Sequence, residues 1–153
     1  MKICIGGTFS ILHNGHKLLI NKAFEAAGVK GSVFIGLTLG DALKNKRNVR
    51  SLEERKIALL KYLSEKGFLD RAIIKPIKDK YGPSIDREFD AIIVSPETVK
   101  TAEEINDKRR KKGKKPLKII QIPFVLADDG IPISSSRIKS KEIDENGNIL
   151  KRD

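Results

Sequence analysis

The chain has 153 residues, one cysteine, no tryptophan and a formal net charge of +11 at pH 7. That length suits one domain with a core of its own, and the single cysteine excludes an intrachain disulfide and fits a reducing compartment. No apolar run reaches the roughly 18 residues of a membrane span; the first residues enter an apolar strand with no signal-like region, so a cytoplasmic location is the expectation.

In chain order, Ile3, Cys4 and Ile5 read as a buried strand, and Lys17 to Ala27 reads as a helix with Leu19, Ile20, Ala23, Phe24 and Ala27 on one face. Between them lies Gly6-Gly7-Thr8-Phe9-Ser10-Ile11-Leu12-His13-Asn14-Gly15-His16, which holds both histidines of the protein. The turn from a first strand into a first helix lies at the edge of an open α/β sheet where ligands bind. Unpaired backbone N–H groups at a helix start, beside glycines that permit close approach, suit phosphate. Neither the Gly-x-x-x-x-Gly-Lys-Ser/Thr loop nor Gly-x-Gly-x-x-Gly is present. Two histidines and one cysteine, with Cys4 inside the strand, make a poor zinc set.

Ser32 to Leu37 reads as the second strand. Ser51-Leu52-Glu53-Glu54 is a capping box that opens a helix to about Lys66, with Gly67 just past its end. Ala72 to Ile77 and Ala91 to Val94 read as strands three and four; Lys78 to Glu88, with its Tyr-Gly-Pro-Ser run, reads as a structured loop. Pro96 marks a helix start, and Glu97 to about Lys112 forms the third helix, ending before Gly113. Leu117 to Val125 is a fifth strand whose end Pro123 weakens. Ser134 to Ser136 open a short last helix, and the polar stretch from Glu142 to Asp153 is expected to fray. The alternation predicts an α/β fold: one doubly wound domain with a five-stranded parallel sheet over residues 1–141, then a polar tail over 142–153.

The basic tract Lys108-Arg109-Arg110-Lys111-Lys112-Gly113-Lys114-Lys115 is of a kind that meets phosphate backbones. No aromatic residue is interleaved with it, so stacking surfaces for bases are missing and nucleic acid is not the expected partner. A solvated helix end, where cations complement the dipole, is the plainer reading; a field that steers anionic substrates is a third.

The segment from Gly7-Thr8-Phe9 to His13-Asn14-Gly15-His16 resembles the signature of the HxGH nucleotidyltransferase superfamily, and Ile133-Ser134-Ser135-Ser136-Arg137-Ile138-Lys139 resembles its late Ile-Ser-Ser-Thr-type motif. Asp41-Ala42-Leu43-Lys44-Asn45-Lys46, Tyr81-Gly82-Pro83, Val94-Ser95-Pro96-Glu97-Thr98 and Ile105-Asn106 are similar to the phosphopantetheine adenylyltransferases of the archaeal and eukaryotic kind. The resemblance implies a Rossmann-like fold and transfer of AMP from ATP to 4′-phosphopantetheine, with Mg²⁺ as cofactor and with a monomer or small homo-oligomer as the working form.

It also implies site residues. His16 donates to the α-phosphate and Lys44 reaches the phosphate bridging the substrates, with Lys46 and Arg47 as neighbouring substitutes. Thr8, Phe9, His13, Gly15, Ser95, Glu97, Thr98, Ser134, Ser135, Ser136 and Arg137 flank the nucleotide; Thr8, Lys44 and Asp41 serve the acceptor. Arg109, with Asn106 before it, reaches phosphate or lies on a solvated face, and Leu37, Leu39 and Leu43 are expected at the pantetheine wall. Two positions depart from the pattern: Ser10 stands where an acid commonly follows Gly-Thr-Phe, so no metal ligand is named, and Lys139 stands where relatives often carry Arg. The rival readings are a nicotinamide-mononucleotide adenylyltransferase, a cytidylyltransferase or a basic nucleic-acid-binding module.

Overall fold

The computed structural model describes residues 1–39 and 49–150. Asp41, Leu43, Lys44, Lys46 and Arg47, and residues 151–153, lie outside the described residues. The elements run β1 (Lys2–Gly7), α1 (Asn14–Ala27), β2 (Ser32–Thr38), α2 (Leu52–Lys66), β3 (Ala72–Ile77), β4 (Ala91–Val94), α3 (Val99–Lys111), β5 (Lys118–Gln121) and α4 (Ser135–Lys139). The expected strand and helix cores are all present. β5 is shorter than the expected Leu117 to Val125, stopping two residues before Pro123, which has no N–H to give the ladder.

The five strands pair in the order β3-β2-β1-β4-β5, every pair parallel. Side-chain alternation sorts the strands into two faces. Ile3, Ile5, Val33, Ile35, Leu37, Ala91 and Ile93 pack with Ile20, Ala23 and Phe24 of α1 and Leu59, Tyr62 and Leu63 of α2. Cys4, Phe34, Ile92 and Val94 face the other way, against Ala102 and Ile105 of α3. The result is a three-layer α/β/α sandwich in which both faces of the sheet are covered, as parallel strands require.

The strand order places the functional edge. The chain moves outward from β1 through β2 to β3, then returns to the far side of β1 for β4, so the topological switch lies between β1 and β4. Their pairing covers only Ile3 with Ala91 and Cys4 with Ile92. Beyond Cys4 the two strands lose the ladder, which leaves a crevice at their carboxyl ends.

The segment from 142 to 150 does not fray. Ile143 is fully buried in a small cluster with Ala127 and Ile133, and an antiparallel bridge joins Ile143 to Ile149. Composition misleads here because one isoleucine with a ready socket anchors an otherwise polar turn.

Candidate active site

A cleft of about 850 Å³ opens at the switch point. Its floor is the end of β1 and the following loop, Gly6 to Ser10; α1 gives His13, Gly15 and His16, and the segment before α4 gives Ser134, Ser135 and Ser136, with Lys139 further along. Ser95, Glu97 and Thr98 line it from the β4 side.

The two histidines begin as a helix cap. His13 is the N-cap of α1, and its Nδ1 accepts from the backbone N–H groups of Gly15 (3.0 Å) and His16 (3.4 Å). The His13 N–H donates in return to His16 Nδ1, 3.4 Å away. Two of the donors that a helix start leaves without intrahelical partners are thereby satisfied. With both Nδ1 atoms accepting, a neutral ring carries its proton on Nε2. The rings stack at 3.8 Å between centroids and 17° between planes, and the Phe9 ring lies tilted against His16 at 5.0 Å. Burial holds His13 down to a pKa of about 4, so it is neutral at pH 7.

This packing explains the residue between the histidines. A Cβ on Gly15 would stand 2.8 Å from His13 Cε1 and 3.0 Å from its Nδ1. Any side chain there pushes the cap away. Phe9 holds a positive φ of 48° although it is not glycine, a conformation that costs about 1–2 kcal/mol and is found at functional sites.

Across the cleft, Ser134 Oγ caps α4 by accepting from the Arg137 N–H at 3.2 Å. Ser135 Oγ donates to the carbonyl of Ile11 at 3.5 Å, a direct tie between the two halves. Thr8 Oγ1 accepts from Thr38 Oγ1 at 3.1 Å. On the β4 side Thr98 Oγ1 accepts from the Ser95 N–H at 3.1 Å, so these two residues form a small hydroxyl-bearing turn beside exposed Glu97.

Arg137 takes a different place from the one expected. Its guanidinium makes ion pairs with Asp129 and Glu142 and donates to the carbonyls of Ile131 and Pro132. It therefore braces the C-terminal segment, and Lys139 is the cation of that motif on the cleft wall. Leu37 is corrected too: it shares side-chain parity with Val33 and Ile35, which puts it in the core beneath α1 and α2. The apolar wall of the cleft is formed by Phe34, Ile77, Ile92, Val94, Tyr81 and Pro83 on the opposite face of the sheet.

Two buried arginines hold the walls of the cleft: Arg55, which the sequence did not single out, and Arg109, whose role differs from the one expected. Arg55 of α2 is 2% exposed; its guanidinium donates to the carbonyls of Thr8 (3.0 Å), Thr38 (2.8 Å) and Arg50 (2.9 Å). It pins the ends of β1 and β2 together under the cleft, and burial lowers its pKa. Arg109 of α3, also 2% exposed, donates to the carbonyls of Ser84, Ile85, Arg87 and Lys115. It fixes the loop that walls the cleft, so it neither reaches phosphate nor lies on a solvated face. Asn106 is spent in the same way: it exchanges two hydrogen bonds with the backbone of Leu117. The helical period could have flagged both arginines, because Arg55 shares a stripe with Leu59, Tyr62 and Leu63, and Arg109 with Ala102, Ile105 and Asn106.

Among the described residues no three His, Cys, Asp or Glu side chains gather to hold a metal. Mg²⁺ makes a smaller demand, because it keeps several waters and binds through substrate phosphates with one or two carboxylates. Ser10 lines the cleft, but its hydroxyl is neutral and its Oγ is buried, so it does not supply that carboxylate.

At the switch point, then, lies a cleft that brings together a helix N-terminus, a neutral His13 imidazole and the hydroxyls of Ser134 to Ser136. Comparison with known proteins identifies the lineage. A cytidylyltransferase-like family model matches residues 4–141. The chain is 48% identical to a phosphopantetheine adenylyltransferase of Methanosarcina mazei over 98% of this chain and 97% of that one. The chain belongs to the phosphopantetheine adenylyltransferase family. A second member of that family, from Methanopyrus kandleri, is 46% identical over 94% of this chain and 91% of its own. A crystal structure of an Archaeoglobus fulgidus protein with unknown function superposes with a TM-score of 0.69 at 36% identity, covering 80% of this chain and 89% of that one. No helix among the described residues is long and apolar enough to cross a membrane.

Proposed function

We propose that this cleft transfers AMP from ATP to 4′-phosphopantetheine, giving dephospho-coenzyme A and pyrophosphate. A phosphate oxygen of phosphopantetheine attacks the α-phosphorus in line; the bond from that phosphorus to the bridging β-phosphate oxygen breaks, and its electron pair leaves with pyrophosphate. No protein nucleophile is needed, so the chain's work is alignment and charge stabilisation. The observation that carries the reading is the reciprocal His13–His16 cap facing Ser134 to Ser136 across one cleft at the sheet's switch point. The choice of acceptor rests on the family named above.

His16 Nε2–H is placed as the donor to the α-phosphate as its charge grows. His13, committed through Nδ1 to the helix start, holds His16 in register and presents its own Nε2–H to the triphosphate. Ser134, Ser135 and Ser136 supply hydroxyls and N–H groups for the β- and γ-phosphates, with Lys139 adding charge. Thr8 meets the acceptor phosphate, as does Lys44 from the segment outside the described residues, with Asp41 serving the acceptor side by holding that segment or a metal-bound water. Ser95, Glu97 and Thr98 flank the nucleoside, and the apolar wall from Phe34 to Tyr81 takes the pantetheine arm. Mg²⁺ would be held mainly through the substrate phosphates and would supply charge neutralisation there.

Purified protein incubated with ATP, Mg²⁺ and 4′-phosphopantetheine should release pyrophosphate. Parallel reactions with nicotinamide mononucleotide, and with glycerol-3-phosphate plus CTP, should stay silent. Release only with another acceptor would overturn the assignment of substrate while leaving the phosphate site intact.

A further inference from the structure

The two halves of the phosphate site lie more than a hundred residues apart in sequence, and the C-terminal turn touches both. On the α4 side, Ile143 is buried against Ala127 and Ile133. The Glu142 N–H donates to the Arg137 carbonyl (3.0 Å) while the Glu142 carboxylate accepts from Arg137 Nε (3.0 Å), and the Asp128 N–H donates to the Gly147 carbonyl at 2.9 Å. On the α1 side, the Asn14 N–H donates to the Glu145 carbonyl at 3.2 Å, and Asn14 Nδ2 reaches the Asn146 carbonyl at 3.5 Å. Asn14 is the first residue of α1, so its N–H is one of those with no acceptor inside the helix. The Glu145 carbonyl provides it from more than a hundred residues along the chain, and the Asn146 carbonyl takes the Asn14 side chain.

We infer that residues 142–150 are a positioning clamp that fixes the start of α1, and with it His16, against the serine segment before α4. The inference rests on the adenylyl-transfer reading above. The clamp is held in shape by Asp144, whose Oδ1 accepts from the N–H groups of Asn146 and Asn148, both at 2.9 Å, and whose Oδ2 accepts from Asn148 Nδ2 at 2.8 Å. Asp144 does not line the cleft, so it acts through the backbone it shapes and is a positioning residue. The requirement is strict, since a displacement of about 1 Å at a reacting group can cost on the order of 10²-fold in rate.

Two variants test the clamp at residues that do not themselves line the cleft; the second also presses on Ile133, which does. Asp144→Ala removes the carboxylate that orders the turn. Gly147→Ala dislodges the turn by another route, because φ is +84° and a Cβ would stand 2.9 Å from Ile133 Cδ1 and 3.0 Å from Ala127 Cα. Both should accelerate hydrogen exchange at the Asn14 amide, shift the His16 ring resonances and lower kcat about tenfold, well within the cost expected of a displaced catalytic group. KM for ATP should stay within about twofold, because a contact made only in the transition state leaves ground-state binding alone. Asp144→Asn, which keeps an oxygen for the two backbone donors, should restore most of kcat. Faster exchange at Asn14 with kcat unchanged would overturn the clamp, as would unchanged exchange in both variants. If the wild-type protein releases no pyrophosphate, the reaction assignment falls by itself. The clamp is then decided by Asn14 exchange and the His16 ring shift, and it falls if either stays at the wild-type value.

Discussion

His16 does two things with one ring, and a substitution can separate them. Its Nδ1 completes the cap by accepting from His13 N–H, while the proton left on Nε2 is the one assigned to the α-phosphate. Truncation to alanine would lose both and mix a folding defect into the rate. Asparagine carries an oxygen close to where Nδ1 lies and nothing at Nε2. His16→Asn should therefore melt near the wild-type temperature yet lose about 10²–10³ in kcat, the usual cost of one donor to a developing oxyanion. Thermal melting beside pyrophosphate release decides the matter, and an active variant would remove His16 from the chemistry. His13 makes a pH prediction. Its folded pKa of about 4 lies below the 6.5 of the unfolded chain, so protonation favours unfolding. The stability it contributes is complete above pH 6.5 and is lost as pH falls towards 4. At about 1.4 kcal/mol per pKa unit the loss is at most about 3 kcal/mol. Asparagine is a strong N-cap that does not titrate, so His13→Asn should melt with a shallower pH dependence between 6.5 and 4; parallel slopes would show that His13 is not the group responsible.

At the scale of elements, the site depends on helices that never touch substrate. Arg55 reaches from α2 to the carbonyls of Thr8 and Thr38 and so holds the ends of β1 and β2 under the phosphate loop. Replacing it with methionine keeps most of the length and removes the hydrogen bonds to the half-buried ends of β1 and β2 at Thr8 and Thr38 and to the Arg50 carbonyl. At about 0.5–1.5 kcal/mol net for each hydrogen bond lost, Arg55→Met should lose roughly 2–4 kcal/mol, read as a lower midpoint in urea at an unchanged slope. Lysine should rescue little, because an ammonium lacks the fixed fork of the guanidinium; full rescue would show that charge alone holds the loop. The same contrast marks what the sequence disclosed. β3 and β4 fall on the expected residues, and α2 shows the expected Ser51 cap, with its Oγ accepting from the Glu54 N–H and Gly67 in the left-handed region. These features are local, fixed by side-chain period and cap chemistry within a few residues. The paired histidines and the serine segment were legible because they bear chemistry at a strand-to-helix turn. The roles of Arg55, Arg109 and Arg137 were not, because a charged side chain reads as solvent-facing until its backbone partners are known, and those partners lie far along the chain or in irregular loops. The clamp was hidden for the same reason, because its polar residues are tied to backbone partners at Asn14, Asp128 and Arg137 that lie outside the stretch.

At the scale of the molecule, the question is what the charge of +11 does for anionic substrates. The densest basic tract does not sit at the cleft. α3 starts beside Ser95 and Thr98 at the carboxyl edge of the sheet and carries Lys108, Arg109, Arg110 and Lys111 in its last turn. Its 13 residues rise about 1.5 Å each, which carries the tract's far end roughly 20 Å from the helix start. Cations there complement the helix dipole, Lys112 pairs with Asp86 at 2.7 Å, and Arg109 is consumed inside the fold. The Debye length is about 8 Å at 0.15 M salt and about 30 Å at 0.01 M. Steering from this tract is therefore screened at physiological ionic strength and felt only in dilute buffer. Lys111 and Lys115 are exposed and lie at the far end, so the pair Lys111→Gln and Lys115→Gln tests the point. The double variant should match wild-type kcat/KM for ATP within about twofold at 0.15 M salt and fall below it only near 0.01 M. A deficit that persists at 0.15 M would mean that the tract contacts substrate directly, which its place at the amino edge of the sheet forbids unless the chain rearranges around the ligand.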